Sequence, residues 1–148
     1  MNETVEAKTS GIPKWFWVIG VIVLLWNLMG LLAFIAQMAM TEEMMATLPE
    51  AEQELYKLIP IWVKISFAVA VIGGVIGSVL LLMRKRLAIG VFALSLLGVI
   101  GQQTYMFFLS DTMTVMGAGA MVLPLLVLLI AVGLVPYAKF CANKGLIA

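Results

Sequence analysis

The chain has 148 residues, 64% of them hydrophobic and 11% charged, with a net charge of +1. A soluble domain is nearer half apolar and a quarter charged, and a fold of this size leaves too much surface exposed to hide such a surplus in a core, so lipid is the solvent that fits. The near-neutral balance offers no basic patch for nucleic acid, the single cysteine (Cys141) excludes a disulfide within the chain, and the absence of histidine removes His-based acid–base chemistry, haem ligation through His and most zinc sites.

Residues 1–14 form a polar tail in which Glu3 and Glu6 balance Lys8 and Lys14. From Trp15 to Thr41 no charge occurs, which is long enough for a membrane helix over about residues 15–40. Trp15, Phe16 and Trp17 beside Lys14 read as an interfacial anchor. The run exceeds a signal-peptide core and lacks a small-x-small cleavage site behind it, so a spanning helix is the expected reading.

Residues 41–60 carry Glu42, Glu43, Glu50, Glu52 and Glu54 against Lys57 alone. Thr41 is placed to cap one short turn, and Pro49 with Glu50 to open a second. Met44, Met45 and Leu48, and then Leu55, Tyr56, Leu58 and Ile59, fall on one side, which predicts a short amphipathic helical segment on the outer interface. The five glutamates lack the spacing and central glycine of an EF-hand loop, so they read as helix-start and solvated carboxylates.

The second spanning helix is expected over about residues 61–83, with Trp62 and Lys64 at its outer end. Ser66, Ala70, Gly74 and Ser78 recur every four residues, and Gly73 with Gly77 forms a GxxxG pair. Small residues at this spacing let helix backbones approach closely in lipid, so this is a face for packing within the bundle or for an oligomer. Arg84-Lys85-Arg86 then makes a charged turn. A third helix over about 87–109 sets Ala88, Ser95, Gly98 and Gln102 along one face, with Gln103, Thr104 and Tyr105 near its outer end. Residues 110–120 read as a short loop loosened by Gly117 and Gly119. The fourth helix is expected over about 120–138, with Pro124 in its first turn and Pro136 at its exit, leaving Cys141 as a lone thiol in a weakly basic tail.

Orientation follows by counting. Lys8, Lys14, Arg84, Lys85, Arg86, Lys139 and Lys144 occupy the two tails and the central turn, against Lys57 and Lys64 in or beside the other loops. The positive-inside rule puts both termini in the cytoplasm, with Arg84, Lys85 and Arg86 as the topological lock. Asn27 lies near the middle of the first helix, and Asn27, Gly30, Phe34 and Gln37 share a broad face. Asn27, Gln37, Ser95 and Gln102 therefore have two uses: hydrogen bonds between helices, or a polar lining for an uncharged solute. No nucleophile–base pair, intramembrane acid, metal-ligand cluster or phosphate-binding glycine loop is legible, so no enzyme activity and no cofactor are expected.

The segments Trp26-Asn27-Leu28-Met29-Gly30, Leu48-Pro49-Glu50-Ala51-Glu52-Gln53-Glu54-Leu55-Tyr56, Arg84-Lys85-Arg86 and Ser95-Leu96-Leu97-Gly98-Val99 together resemble an uncharacterised family of small bacterial four-helix inner-membrane proteins, whose members often carry the label "sugar transporter". The resemblance spans nearly the whole chain. It implies the bacterial inner membrane and a transport role, and it brings no assigned site residues.

The sequence thus predicts an all-α integral membrane protein, one four-transmembrane-helix bundle over residues 1–148, with membrane lipids around it. The expected function is a non-enzymatic one. The first expectation is a self-associating or accessory protein that meets a second copy or a larger membrane protein through Ser66, Ala70, Gly73, Gly74, Gly77 and Ser78. The alternative is a small oligomeric carrier for an uncharged solute.

Overall fold

The structure, a computed structural model, describes residues 11–148; Glu3, Glu6 and Lys8 lie outside them. The described residues are helical, with no strand, and four helical stretches are long and apolar enough to cross a membrane: Lys14–Met38, Ile61–Leu82, Ala88–Leu109 and Ala118–Asn143. In chain order the elements are α1 (Lys14–Met38), α2 (Glu42–Ala46), α3 (Glu50–Lys57), α4 (Ile61–Leu82), α5 (Ala88–Thr104), α6 (Thr112–Met116) and α7 (Val122–Asn143). A π-helical turn, Tyr105–Leu109, continues α5, and a 3₁₀ turn, Ala118–Met121, leads into α7.

The long helices stand in the order α1, α4, α5, α7, each packed on its neighbour, with α4 and α5 the most intimate pair. Small residues set that intimacy. Gly98 lies so close to α4 that a Cβ there would sit 2.6 Å from both the Ala70 nitrogen and the Ser66 carbonyl oxygen. A Cβ on Gly73 would meet Ser95 at 3.0 Å, and one on Gly77 would meet the Phe92 ring at 2.7 Å. The Ser95 hydroxyl donates across the interface to the Ala70 carbonyl at 2.6 Å. In lipid, close backbone contact and such hydrogen bonds are what hold helices together.

The central Arg84-Lys85-Arg86 turn ends α4 in a Schellman motif. The Lys85 N–H donates to the Leu80 carbonyl at 2.8 Å and the Arg84 N–H to that of Leu81 at 2.9 Å. This geometry puts Arg84 in the left-handed region (φ 61°), which costs a non-glycine residue about 1 kcal/mol or more. Three hydrogen bonds hold the turn there. Arg84 Nε donates to the Leu146 carbonyl at 2.7 Å, the Arg86 N–H donates to the Ala148 carbonyl at 2.7 Å, and the Ala148 N–H donates to the Arg84 carbonyl at 2.8 Å. Gly145 (φ 71°) closes α7 with a second Schellman motif, which aims Leu146 and Ile147 back into the core beside Phe16, Phe92 and Cys141. The triplet expected only to fix topology therefore also clasps residues 146–148.

Lys14, Arg84, Lys85, Arg86, Lys139 and Lys144 gather at this end of the bundle, hereafter the basic end. The opposite, acidic end holds the five glutamates of residues 42–54, Asp111, Lys57 and Lys64. There the Thr41 hydroxyl accepts from the Met44 N–H at 3.2 Å, capping α2. Tyr105, at the start of the π turn, donates its hydroxyl to the Leu58 carbonyl at 3.1 Å and meets Trp62 edge-on, with ring centroids 5.9 Å apart. These contacts tie the α2–α3 cap to the tops of α4 and α5.

Two boundaries differ from the sequence reading. The fourth helix continues past the expected end near residue 138 to Asn143, with Pro136 inside it. Proline removes one backbone hydrogen bond, but the turns beyond it seat Ala138 and Cys141 in the core, so the helix runs on. Cys141 consequently lies within α7, fully buried, and not in a loose tail. Residues 110–120, read as a loop, carry α6 and the 3₁₀ turn.

Candidate functional site: a lateral groove between α1 and α7

The row order leaves the two outer helices without a mutual interface along most of their length. They approach at the basic end, where the Trp15 and Phe140 rings lie 6.2 Å apart and Phe16 joins the core with Ala138 and Cys141. Toward the acidic end they flank a groove of about 390 Å³. Met29, Gly30 and Ala33 of α1 form one wall, Val127, Ile130 and Ala131 of α7 the other, and Ala70, Val71, Ser95 and Val99 of α4 and α5 the floor. A second chamber of about 130 Å³ adjoins it beneath the cap, reached past Gln37, Phe67, Gln102 and Met106, which line both. Phe16, Leu81, Ala88, Phe92 and Cys141, each at most 2% exposed, close the basic end.

Several causes shape this space. Gly30 keeps the α1 wall thin opposite Val71. Phe34 is turned onto Phe67, edge-on at 5.2 Å, which fixes the rim between the two chambers. Pro124 lies in the first turn of α7, directly after the 3₁₀ turn, and borders the groove.

The expected polar lining is brought together here: Asn27, Gln37, Ser95 and Gln102 all border the larger chamber. They do not share one role. Asn27 Nδ2 donates to the Val23 carbonyl at 2.9 Å and to Ser78 Oγ at 3.1 Å, while Ser78 donates to the Gly74 carbonyl at 2.6 Å. Asn27 thus joins α1 to α4, and the small Gly74 makes room for its amide, since any Cβ there would collide with it. Ser95 is likewise committed to Ala70. Among the described residues no hydrogen bond engages the side-chain amides of Gln37 or Gln102, so these two are the members of the set available to a ligand.

The small-residue face of α4 lies within the chain. Ala70, Gly73, Gly74, Gly77 and Ser78 are buried, and Ser66 is half-buried, all against α1 or α5. It is a packing face of this bundle, and as an oligomer face it is occupied. Arg84, Lys85 and Arg86 sit far from the groove at the basic end.

One residue joins the site that the sequence reading did not single out. Gln103 is 5% exposed, borders the larger chamber, and holds its Oε1 with no hydrogen-bond partner. Its signal was present: Gln103 follows Ser95 and Val99 at intervals of four, on the face of α5 that meets the groove. A second buried polar atom without a partner, the Tyr137 hydroxyl, lies in the basic-end core one turn from Cys141, outside the groove.

Among the described residues, no Asp, Glu, Lys or Arg borders the larger chamber. Such a site suits an uncharged molecule, and it offers orientation through amides in place of proton transfer. No protein-family model, curated protein or solved structure matches the chain.

Proposed function

We propose that this is a non-enzymatic multi-pass membrane protein that binds one uncharged, mainly apolar molecule in the groove between α1 and α7, the binding step of a small carrier. The observation that supports it most is Gln103. A buried amide oxygen without a partner costs about 1–3 kcal/mol, and a ligand that supplies a donor removes that cost. The groove volume lies within the roughly 300–1,000 Å³ common for small-molecule sites. The charge count supports a cytoplasmic basic end with both termini, and an acidic end and cap outside. The family resemblance adds the bacterial inner membrane as the setting. A ligand would then enter from the outer half of the bilayer, because the basic end is closed.

An accessory role through α4 has less support, since the α4 face already holds α1 and α5. A partner would have to use the exposed apolar sides of α1 and α7, which also suit lipid.

Photolabelling tests the groove. In liposomes, an uncharged alkyl diazirine should label the sheltered groove residues Val71 on α4 and Val127 and Ala131 on α7 well above the outward residues Val18, Ile22 and Leu25. Ala131→Trp should remove the groove labelling. Uniform labelling of every exposed apolar position would defeat the proposal.

A further inference from the structure

The two chambers differ in chemistry along their common axis. The deeper part, between Trp26, Val71, Ile130 and Leu134, is apolar. The part nearer the cap gathers three amides: Gln37 from α1 and Gln102 and Gln103 from α5. Gln103 lies fifteen residues beyond Ala88 at the start of α5, roughly 22 Å along its axis at ~1.5 Å per residue, so the amides sit toward the acidic end while Asn27 sits near mid-height. Beyond them the second chamber opens under α3, lined by Tyr56, Tyr105, Ser110 and Thr112, with Glu52 and Lys64 beside them.

This gradient has the polarity of one bilayer leaflet: apolar at mid-depth, hydrogen-bonding toward the surface. A water-soluble sugar would leave the deep chamber unmatched, and a plain alkane would leave Gln103 unpaired. The groove also opens sideways between α1 and α7, so a molecule can enter from lipid without leaving it. About 390 Å³ is near the lower end of small-molecule sites, which suits one slender chain. The charge around the entrance selects further. The acidic end carries Glu42, Glu43, Glu50, Glu52, Glu54 and Asp111 against Lys57 and Lys64, a field that disfavours an anionic head.

Resting on the groove reading above, we infer that the ligand is a neutral single-chain amphiphile of the outer leaflet with a hydroxyl-bearing head. Its chain lies against Ile130 and Leu134. One head hydroxyl donates to Gln103 Oε1 once that amide turns about its last torsion toward the groove, and the head oxygens accept from the Gln37 and Gln102 amides. Gln103 sets the preference for a hydroxyl, because a head lacking a donor leaves its oxygen buried and unpaired.

Competition against the diazirine probe, read at Ala131 in liposomes of the full chain, tests this. Four competitors are used: a monoacylglycerol, its dimethyl ether, a lysophosphatidic acid of equal chain length, and glycerol. The monoacylglycerol should displace the probe, with the ether about tenfold weaker, the expected size for one lost hydrogen bond to a buried group. The lysophosphatidic acid should be weak and glycerol without effect. In Gln103→Leu the monoacylglycerol and its ether should become equal. Equal potency of the two in the unaltered protein would overturn the inference, as would a stronger lysophosphatidic acid. Displacement by glycerol would leave the groove reading standing and remove the amphiphile. Absence of any groove labelling to compete for would remove both.

Discussion

Gly98→Ala should destabilise the bundle by about 1–3 kcal/mol, among the largest effects of any single methyl addition in the chain. The reason is geometric. A Cβ at residue 98 would meet the backbone of α4 at 2.6 Å, at the Ala70 nitrogen and the Ser66 carbonyl oxygen, and backbone cannot rotate aside as a side chain can. The only relief is to push α5 away from α4, which stretches the Ser95–Ala70 hydrogen bond three residues earlier and loosens the Gly73–Ser95 contact. Gly90→Ala is the matched control. It lies on the same helix with nothing within 4 Å of its added methyl, so it should be neutral or stabilising by up to about 1 kcal/mol through helix propensity. Thermal unfolding in mild detergent, followed by circular dichroism, compares the two. Equal effects would show that α4 and α5 do not touch through Gly98.

Gln103→Leu should move stability and binding in opposite directions. In the ligand-free protein the buried Oε1 has no partner, so replacing the amide with an alkyl group of similar bulk should stabilise by about 1 kcal/mol or more. The same change removes the acceptor that a ligand hydroxyl would use, so selective binding should fall. A residue with only a packing role would lower both together or neither. Gln102→Leu, on a half-buried residue at the chamber's rim, should weaken binding with little change in unfolding temperature. Loss of stability in Gln103→Leu would mean that its amide is satisfied in the folded membrane protein and that the groove lacks its main reason to hold a polar ligand.

Much of the architecture is legible in the sequence because lipid allows few solutions. Charge-free runs of membrane length must be helices, and Arg84-Lys85-Arg86 must face out of the hydrocarbon. The small residues of α4 announce a close approach, but their spacing is equally suited to α1, α5 or a second chain. What decides is which neighbours carry a matching recess, namely Asn27 opposite Gly74 and Ser95 opposite Gly73, and that pairing needs three dimensions. The end of α7 lies beyond the expected residue 138 because proline's local rule competes with the core packing of Ala138 and Cys141. The clasp between the central turn and residues 146–148 has no local signature, since it joins segments some sixty residues apart. Asn27, Gln37, Ser95 and Gln102 are recognisable as intramembrane polar groups. Only the structure separates Asn27 and Ser95, whose hydrogen bonds are made between helices, from Gln37 and Gln102, whose amides face the groove.

The divergence of α1 and α7 is the claim on which the site depends, and a pulsed electron-resonance comparison of two spin-label pairs in nanodiscs measures it directly. One pair replaces Trp15 and Phe140, whose rings lie 6.2 Å apart at the basic end. The other replaces Ala33 and Val127, on opposite walls of the groove. The separation between Ala33 and Val127 should be clearly longer than that between Trp15 and Phe140. Equal, short separations at both ends would mean a closed bundle with no room for a ligand, and would contradict that divergence.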